Sequence, residues 1–337
     1  MKNTKKKKPR LKASIRRTSR RALIVVLTIG LSMGLFGYSA LLIILKGPSP
    51  TFSNLIISTM METRRGKKIA HMFFTDEELT AKLSKNSVSY TEQITYNNEE
   101  DFVIPEEEKD KIEIVDIQGG TYKGKLMIVR DPSRIQLGVN TLMSSENASG
   151  FLVQDYVDKE GAIAGINAGG FEDPNGQGDG SIPYGVVIKD GKLVAGKEDA
   201  WVSLIGFNEH DHLIVGNMTA AEALSWGITD AVTFGPIFIV DGSPVAVTGT
   251  GGGLNPRTVI GQRADGAVLL LVIDGRQTTS LGATYEDCIN IMLEYGAINA
   301  ANLDGGSSSV MVYKGEIINN IVSMRSDRTV PTAWIVK

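Results

Sequence analysis

The 337-residue chain is predicted to be an α+β protein, a strand-rich mixed sheet with a few packed helices, preceded by one transmembrane helix. Three observations carry this reading. Ala22 to Leu45 is an unbroken apolar run. From Lys111 onward, short β-type runs bounded by Gly, Asp or Asn follow one another, and a few stretches among them keep helical spacing. No internal repeat stands out.

The apolar run holds no Asp, Glu, Lys, Arg, His, Asn or Gln, and as a helix it reaches ~36 Å against ~30 Å of hydrocarbon. Eleven Lys or Arg and no acid precede it, while only Lys46 follows closely. The positive-inside rule therefore puts residues 1–21 in the cytoplasm as a basic tail, 22–45 in the membrane and the remainder outside. A cleaved signal peptide is the rival reading, but its apolar core is usually ~7 to 15 residues. The tail suits anionic membrane lipids.

Beyond residue 45, 24 of the 35 Lys and Arg stand against all 38 Asp and Glu, a net charge of −14. Such acidity argues against a nucleic-acid partner. Cys288 is the only cysteine, so no intrachain disulfide can form and stability must come from a hydrophobic core. The sequons at Asn147 and Asn217 are read as chance.

Residues 46–110 are polar and charged and read as a stalk, with one short helix expected from Phe73 to Leu83 because Thr75 and Glu78 have capping-box spacing. Residues 111–337 form the domain proper. Asp190-Gly191 and Asp265-Gly266 lie between apolar runs as hairpin turns do, the latter joining Arg257 to Gln262 with Val268 to Asp274. Ser149 to Glu160, Thr284 to Tyr295 and the shorter Ala220 to Trp226 are helical, with Thr284 and Asp287 starting the second and Gly296 stopping it.

Two apolar strands end abruptly in Asp-Gly: Leu269 to Asp274-Gly275-Arg276, and Ala300 to Asp304-Gly305-Gly306-Ser307-Ser308-Ser309. If the intervening helix is a crossover between parallel neighbours, Asp274 and Asp304 emerge side by side at the carboxyl edge of the sheet, where they could divide acid and base roles or share a cation. The plain alternative is that each Asp only opens a turn. Gly305, Gly306, Ser307 and Ser308 let N–H groups and hydroxyls face an anion, as a phosphate cradle does. Arg257 and Arg276 add guanidinium groups near this edge, for phosphate or for a salt bridge to Asp274. Asn167, at the end of another apolar strand, would point its amide at the occupant. Glu172, Asp173 and Asp179 follow in a glycine-rich loop, as solvated charges, acids or oxygen ligands for a divalent cation such as calcium. His71, His210 and His212 make no zinc-spaced cluster, and no Gly-x-Ser-x-Gly elbow supports a serine triad.

Taken in order, Ile166 to Phe171, Phe234-Gly235-Pro236 with Asp241-Gly242, Asn255-Pro256-Arg257-Thr258, Asp274-Gly275-Arg276, Asn302 to Ser308 and finally Arg328 resemble the phosphodiester glycosidase family. The resemblance covers roughly residues 111–337. Many relatives carry Asn-Gly-Gly-Phe-Phe where Ala168 and Glu172 stand, and a third glycine in place of Ser307. It implies cleavage between an anomeric carbon and a phosphate, with Asp304 as nucleophile or base and Asp274 as second carboxylate or ligand. Arg257, Arg276, Arg328 and the Gly305 to Ser308 backbone would hold phosphate, and Asn167 sugar hydroxyls. The implied partner is a sugar phosphodiester or phosphorylated glycopolymer of the cell envelope. A membrane-anchored module that grips such a polymer without cutting it fits nearly the same residues, and a purely structural envelope protein would bind no sugar phosphate.

Overall fold

A computed structural model of the chain describes residues 9–140, 149–174, 178–322 and 328–337. The chain divides into two compact units, Met1–Ile56 and Ile57–Lys337. The first is dominated by the helix Pro9–Lys46, whose stretch Arg17–Lys46 is long and apolar enough to cross a membrane. Leu31, Met33 and Phe36 on it are exposed, so they belong to no protein core in this structure. The basic cluster Lys2 and Lys5 to Lys8, and the sequon at Asn147, lie outside the described residues.

The expected stalk is a different object. Residues 46–110 hold three helices, Pro50–Met61, Arg64–Ala70 and Asp76–Leu83, and from Ile57 they belong to the second compact unit. The last helix carries the expected capping box: Thr75 accepts from the Glu78 N–H and Glu78 from the Thr75 N–H. Polar residues here pair with distant loops instead of water, which composition does not distinguish. Buried Asn86 donates to Ser58 Oγ at 2.8 Å and to the Gly252 carbonyl at 3.1 Å, and buried Thr95 donates to the Val215 carbonyl. Strand Ser87–Val88 pairs with Val247–Thr248.

The second unit contains a seven-stranded sheet and two five-stranded sheets, and every strand pairing among the described residues is antiparallel. In the largest sheet, Ala297–Leu303, Arg257–Arg263, Val268–Ile273 and Lys123–Val129 lie side by side in that order. Val268, Leu270 and Val272 pack into a core shared with Leu137, Phe207 and Trp334. Leu269, Leu271 and Ile273 meet Cys288 and Met292 of the helix Tyr285–Glu294 on the opposite face. Burial on both faces, ~1.5–3 kcal/mol for each large aliphatic side chain, explains why this strand reads as a continuous apolar run. Cys288 is core, its thiol pushed up to about 12 chiefly by burial.

Local signals were realised. Asp190 and Gly191 both take positive φ, 50° and 67°, between Val187–Lys189 and Lys192–Ala195, as a type I′ hairpin requires. The Asp265-Gly266 turn joins Arg257–Arg263 to Val268–Ile273. Thr284 and Asp287 make a capping box at the start of Tyr285–Glu294. The first expected helix covers only Val153–Glu160, and the short one covers Ala220–Ser225.

One expectation about neighbours fails. Val268–Ile273 and Ala297–Leu303 run in the same direction but are not adjacent, because Arg257–Arg263 is inserted between them, antiparallel to both. The hairpin partner of the first strand takes the place next to it. Asp274 and Asp304 therefore leave one sheet edge two strand spacings apart, roughly 10 Å, with Arg257 starting the strand between them.

Candidate active site

Asp304 leaves the end of Ala297–Leu303 into a cleft of about 530 Å³. Its N–H donates to the Ala168 carbonyl at 3.1 Å, and Asn167 Nδ2 donates to its carbonyl at 2.5 Å. The backbone is thus pinned while the carboxyl faces the cleft. Burial is the main cause that pushes the Asp304 pKa up to about 6; Ser308, Arg328 and the Gly305 N–H offset it in part. The Ser308 hydroxyl leans on this charge without closing a well-aligned bond, since Ser308 Oγ and Asp304 Oδ2 are both buried and unpartnered.

The Gly305 to Ser308 turn is built for close approach. Gly306 has φ +64°, and a Cβ there would come within 3.3 Å of Arg276 Nη2. A Cβ on Gly305 would meet the Pro256 carbonyl at 2.9 Å, the carbonyl that accepts from the Gly306 N–H. Glycine is the residue for both demands.

Arg276 has φ +54°, a backbone state that a non-glycine residue holds only when its surroundings impose it. Its Nε and Nη2 donate to Asn255 Oδ1 at 3.3 and 3.1 Å. No acidic side chain pairs with it among the described residues, and burial, first among the causes, lowers its pKa. An arginine remains cationic under such a shift, so the cleft contains an exposed positive charge with no acidic partner among the described residues.

The other two arginines are engaged. Arg257, 3% exposed, donates to the carbonyls of Ala283 and Gly253, holds Glu62 in a two-pronged ion pair at 2.9 and 3.0 Å, and stacks on Tyr285 with its Cζ 4.0 Å from the ring centre. Arg328 pairs with Asp173 at 2.6 Å and lies over the Phe171 ring; burial opposes the Asp173 charge, but Arg328 and the Gly178 N–H keep its pKa low.

Of the residues expected from sequence, the cleft brings together Asp304, Gly305, Gly306, Ser307, Arg257, Arg276 and Arg328. Asp274 does not line it. Its carboxylate accepts from Asn319 Nδ2, the Asn320 N–H and Asn320 Nδ2, so a segment 45 positions downstream uses it up. Asn167 is fully buried; its Oδ1 accepts from Thr258 Oγ1 and the Val310 N–H, and it braces the Asp304 loop rather than reaching solvent. Ser308 lies beneath the turn at 1% exposure. Asp179 accepts from Ser181, and among the described residues no group of three or more His, Cys, Asp or Glu converges as a metal site would require.

The sequence reading missed Glu62, Tyr285, Phe234 and Asn302 as wall residues. Asn302 lies on the strand two residues before Asp304, which follows its end, and that alternation could have found it. For Glu62 no local signal exists. Seven side-chain atoms among the described residues are buried without a partner; four of them, on Asn302, Asp304, Ser308 and Ser309, belong to the cleft residues and the turn beneath them, and a fifth is on Asn255, which holds Arg276. Buried polar atoms are nearly always paired, so this concentration makes the cleft the candidate site.

The sequence pattern of the phosphodiester glycosidase family matches residues 160–337. The SPbeta prophage-derived uncharacterized protein YomE of Bacillus subtilis (strain 168) is 34% identical over 179 residues, 50% of this chain and 27% of that protein, so the chain spans about a quarter of the relative's length. The zebrafish N-acetylglucosamine-1-phosphodiester alpha-N-acetylglucosaminidase catalytic domain, auto-inhibited by its pro-peptide, shares the fold at TM-score 0.56 and 21% identity, over 67% of this chain and 82% of that one. An exported protein of Burkholderia pseudomallei K96243 gives TM-score 0.47 and 18% identity over 64% and 74%.

Proposed function

The chain belongs to the phosphodiester glycosidase family, and from that premise we propose that it hydrolyses the bond between the anomeric carbon of a sugar and a phosphodiester oxygen. The observation that supports this reading is one cleft lined by both Asp304, its pKa raised to about 6, and the guanidinium of Arg276, which lies beside Gly306 and has no acidic partner among the described residues. In the proposed reaction the C1–O bond breaks with its electron pair going to the phosphate oxygen, and water supplies the new C1–O bond. The products are a free sugar and a phosphomonoester, and the proton lost by water passes to the carboxylate or solvent. Phosphate leaves readily, so the site's larger task is to steady positive charge at C1 and hold the anion. Asp304 does the first as nucleophile or base. Arg276 and the Ser307 N–H, the turn amide left over after the Gly306 N–H goes to Pro256 and the Gly305 N–H to Asp304, do the second.

We further propose that the apolar helix anchors the chain with its basic end in the cytoplasm and the second unit outside, so that the substrate is an envelope or exopolysaccharide glycopolymer. Protease added to intact cells should then degrade the Ile57–Lys337 unit; full protection would reverse the orientation.

The test of activity uses the full chain in detergent with methyl-phosphate and uridine-diphosphate esters at C1 of N-acetylglucosamine and glucose. Release of free sugar that falls about a thousandfold in Asp304→Asn is expected for loss of a nucleophile or base. Saturable binding without release by the unsubstituted chain would make this a binding module instead.

A further inference from the structure

The cleft is closed on one side by a segment outside the family match. Residues 57–70 bring Glu62, Arg64 and Lys67 to its wall. This wall is built in. The Leu254 N–H donates to Thr59 Oγ1 at 2.9 Å, the Gly253 N–H donates to Glu62 Oε1 at 3.3 Å, and Glu62 grips the buried Arg257. Contact is so close that a Cβ on Gly253 would lie 2.2 Å from the Thr59 nitrogen. Thr63 then caps the helix Arg64–Ala70 by accepting from the Gly66 N–H, and Arg64 and Lys67, three residues apart, share one helix face.

The charges in the cleft do not balance for a simple substrate. Glu62 cancels Arg257 and Asp173 cancels Arg328. That leaves Arg64, Lys67 and Arg276, none of them in an ion pair among the described residues, against Asp304 alone. A phosphodiester brings one negative charge, which Arg276 beside the glycine turn can meet. Arg64 and Lys67 on the 57–70 segment remain.

We infer that Arg64 and Lys67 form a second anion subsite, and that the preferred substrate is a sugar phosphodiester whose aglycone carries at least one further phosphate or carboxylate. This rests on the phosphodiester glycosidase reading of the cleft. The second charge comes either from an adjacent phosphate, as in a diphosphate-linked sugar, or from the next repeat of a charged polymer.

The experiment compares a methyl sugar-1-phosphate diester, the matching uridine diphosphate sugar, and a two-repeat sugar-phosphate oligomer. kcat/KM is measured on the full chain in detergent and on Arg64→Gln/Lys67→Gln. Binding of the intact ligands is measured by calorimetry on Asp304→Asn with and without the same two changes. The expected result is a preference of about tenfold or more for the multiply charged ligands, the worth of one or two charge-assisted hydrogen bonds, that collapses toward unity in the double variant. Whichever of the two multiply charged ligands is preferred identifies the source. No preference, or a preference the double variant retains, overturns the subsite. If nothing is turned over but the binding preference appears and collapses as described, the catalytic reading falls and the subsite stands.

Discussion

Two turns leave the same edge of the seven-stranded sheet with the same Asp-Gly opening, and they have opposite fates. At Asp274 the chain folds back so that Asn319 and Asn320 saturate the carboxylate. At Asp304 the glycine turn holds the backbone and leaves Oδ2 buried without a partner. The arginines repeat the contrast: Arg257 makes four hydrogen bonds, two of them to Glu62, while Arg276 has no acidic partner among the described residues. A motif thus locates a turn, and the accounting of its hydrogen bonds decides whether the turn is structural or functional.

The largest effect that can break this comparison is catalytic. Asp304→Asn is expected to lower kcat/KM about a thousandfold, whereas Asp274→Asn should keep activity within roughly tenfold and lose about 1–3 kcal/mol of stability with its charged hydrogen bonds. Paired kinetics and urea melts read both, and a reversed pattern would restore Asp274 to the chemistry.

Next come the arginines. Arg257→Met leaves Glu62 without its partner and should cost about 3–5 kcal/mol in denaturant unfolding. Arg276→Gln should instead cost little stability and weaken substrate by roughly tenfold to a hundredfold, seen in KM or in ligand affinity.

The pH dependence is smaller. Asp304 has a folded pKa near 6 against an ordinary value of ~3.9, so the folded state binds more protons between those values. Stability therefore falls as pH rises from about 4 through 6. At pH 7.5 Asp304→Asn is expected to be more stable than the parent chain by up to about 3 kcal/mol, and the gain should vanish below pH 4. If the ionised carboxylate is the active form, kcat/KM should fall below about pH 6. A flat profile between pH 5 and 8 would remove Asp304 from that role. The smallest effect is Gly306→Ala, which strains a positive φ by about 1 kcal/mol and crowds Arg276.

What was legible in the sequence was local. The caps at Thr75 and Thr284 and the hairpins at Asp190 and Asp265 need only residues a few places apart. Asp304 was found because its two glycines follow it directly. Strand adjacency was not legible: strand, helix, strand reads as a crossover between neighbours, and nothing in that stretch says that Arg257–Arg263 lies between. Glu62 and Arg257 are separated by 195 positions, and the segment around Glu62 is polar enough to pass for a solvated stalk. Asn167 was placed at the right edge, but its burial comes from Thr258 and Val310 on other strands.

Cys288 supplies a built-in chemical clock. The chain has one thiol, sealed between the central sheet and the Tyr285–Glu294 helix and protonated at neutral pH. A disulfide reagent can therefore modify the native protein only when that helix lifts away. The labelling rate then times the opening of the sheet that carries both Asp turns, without introducing any probe.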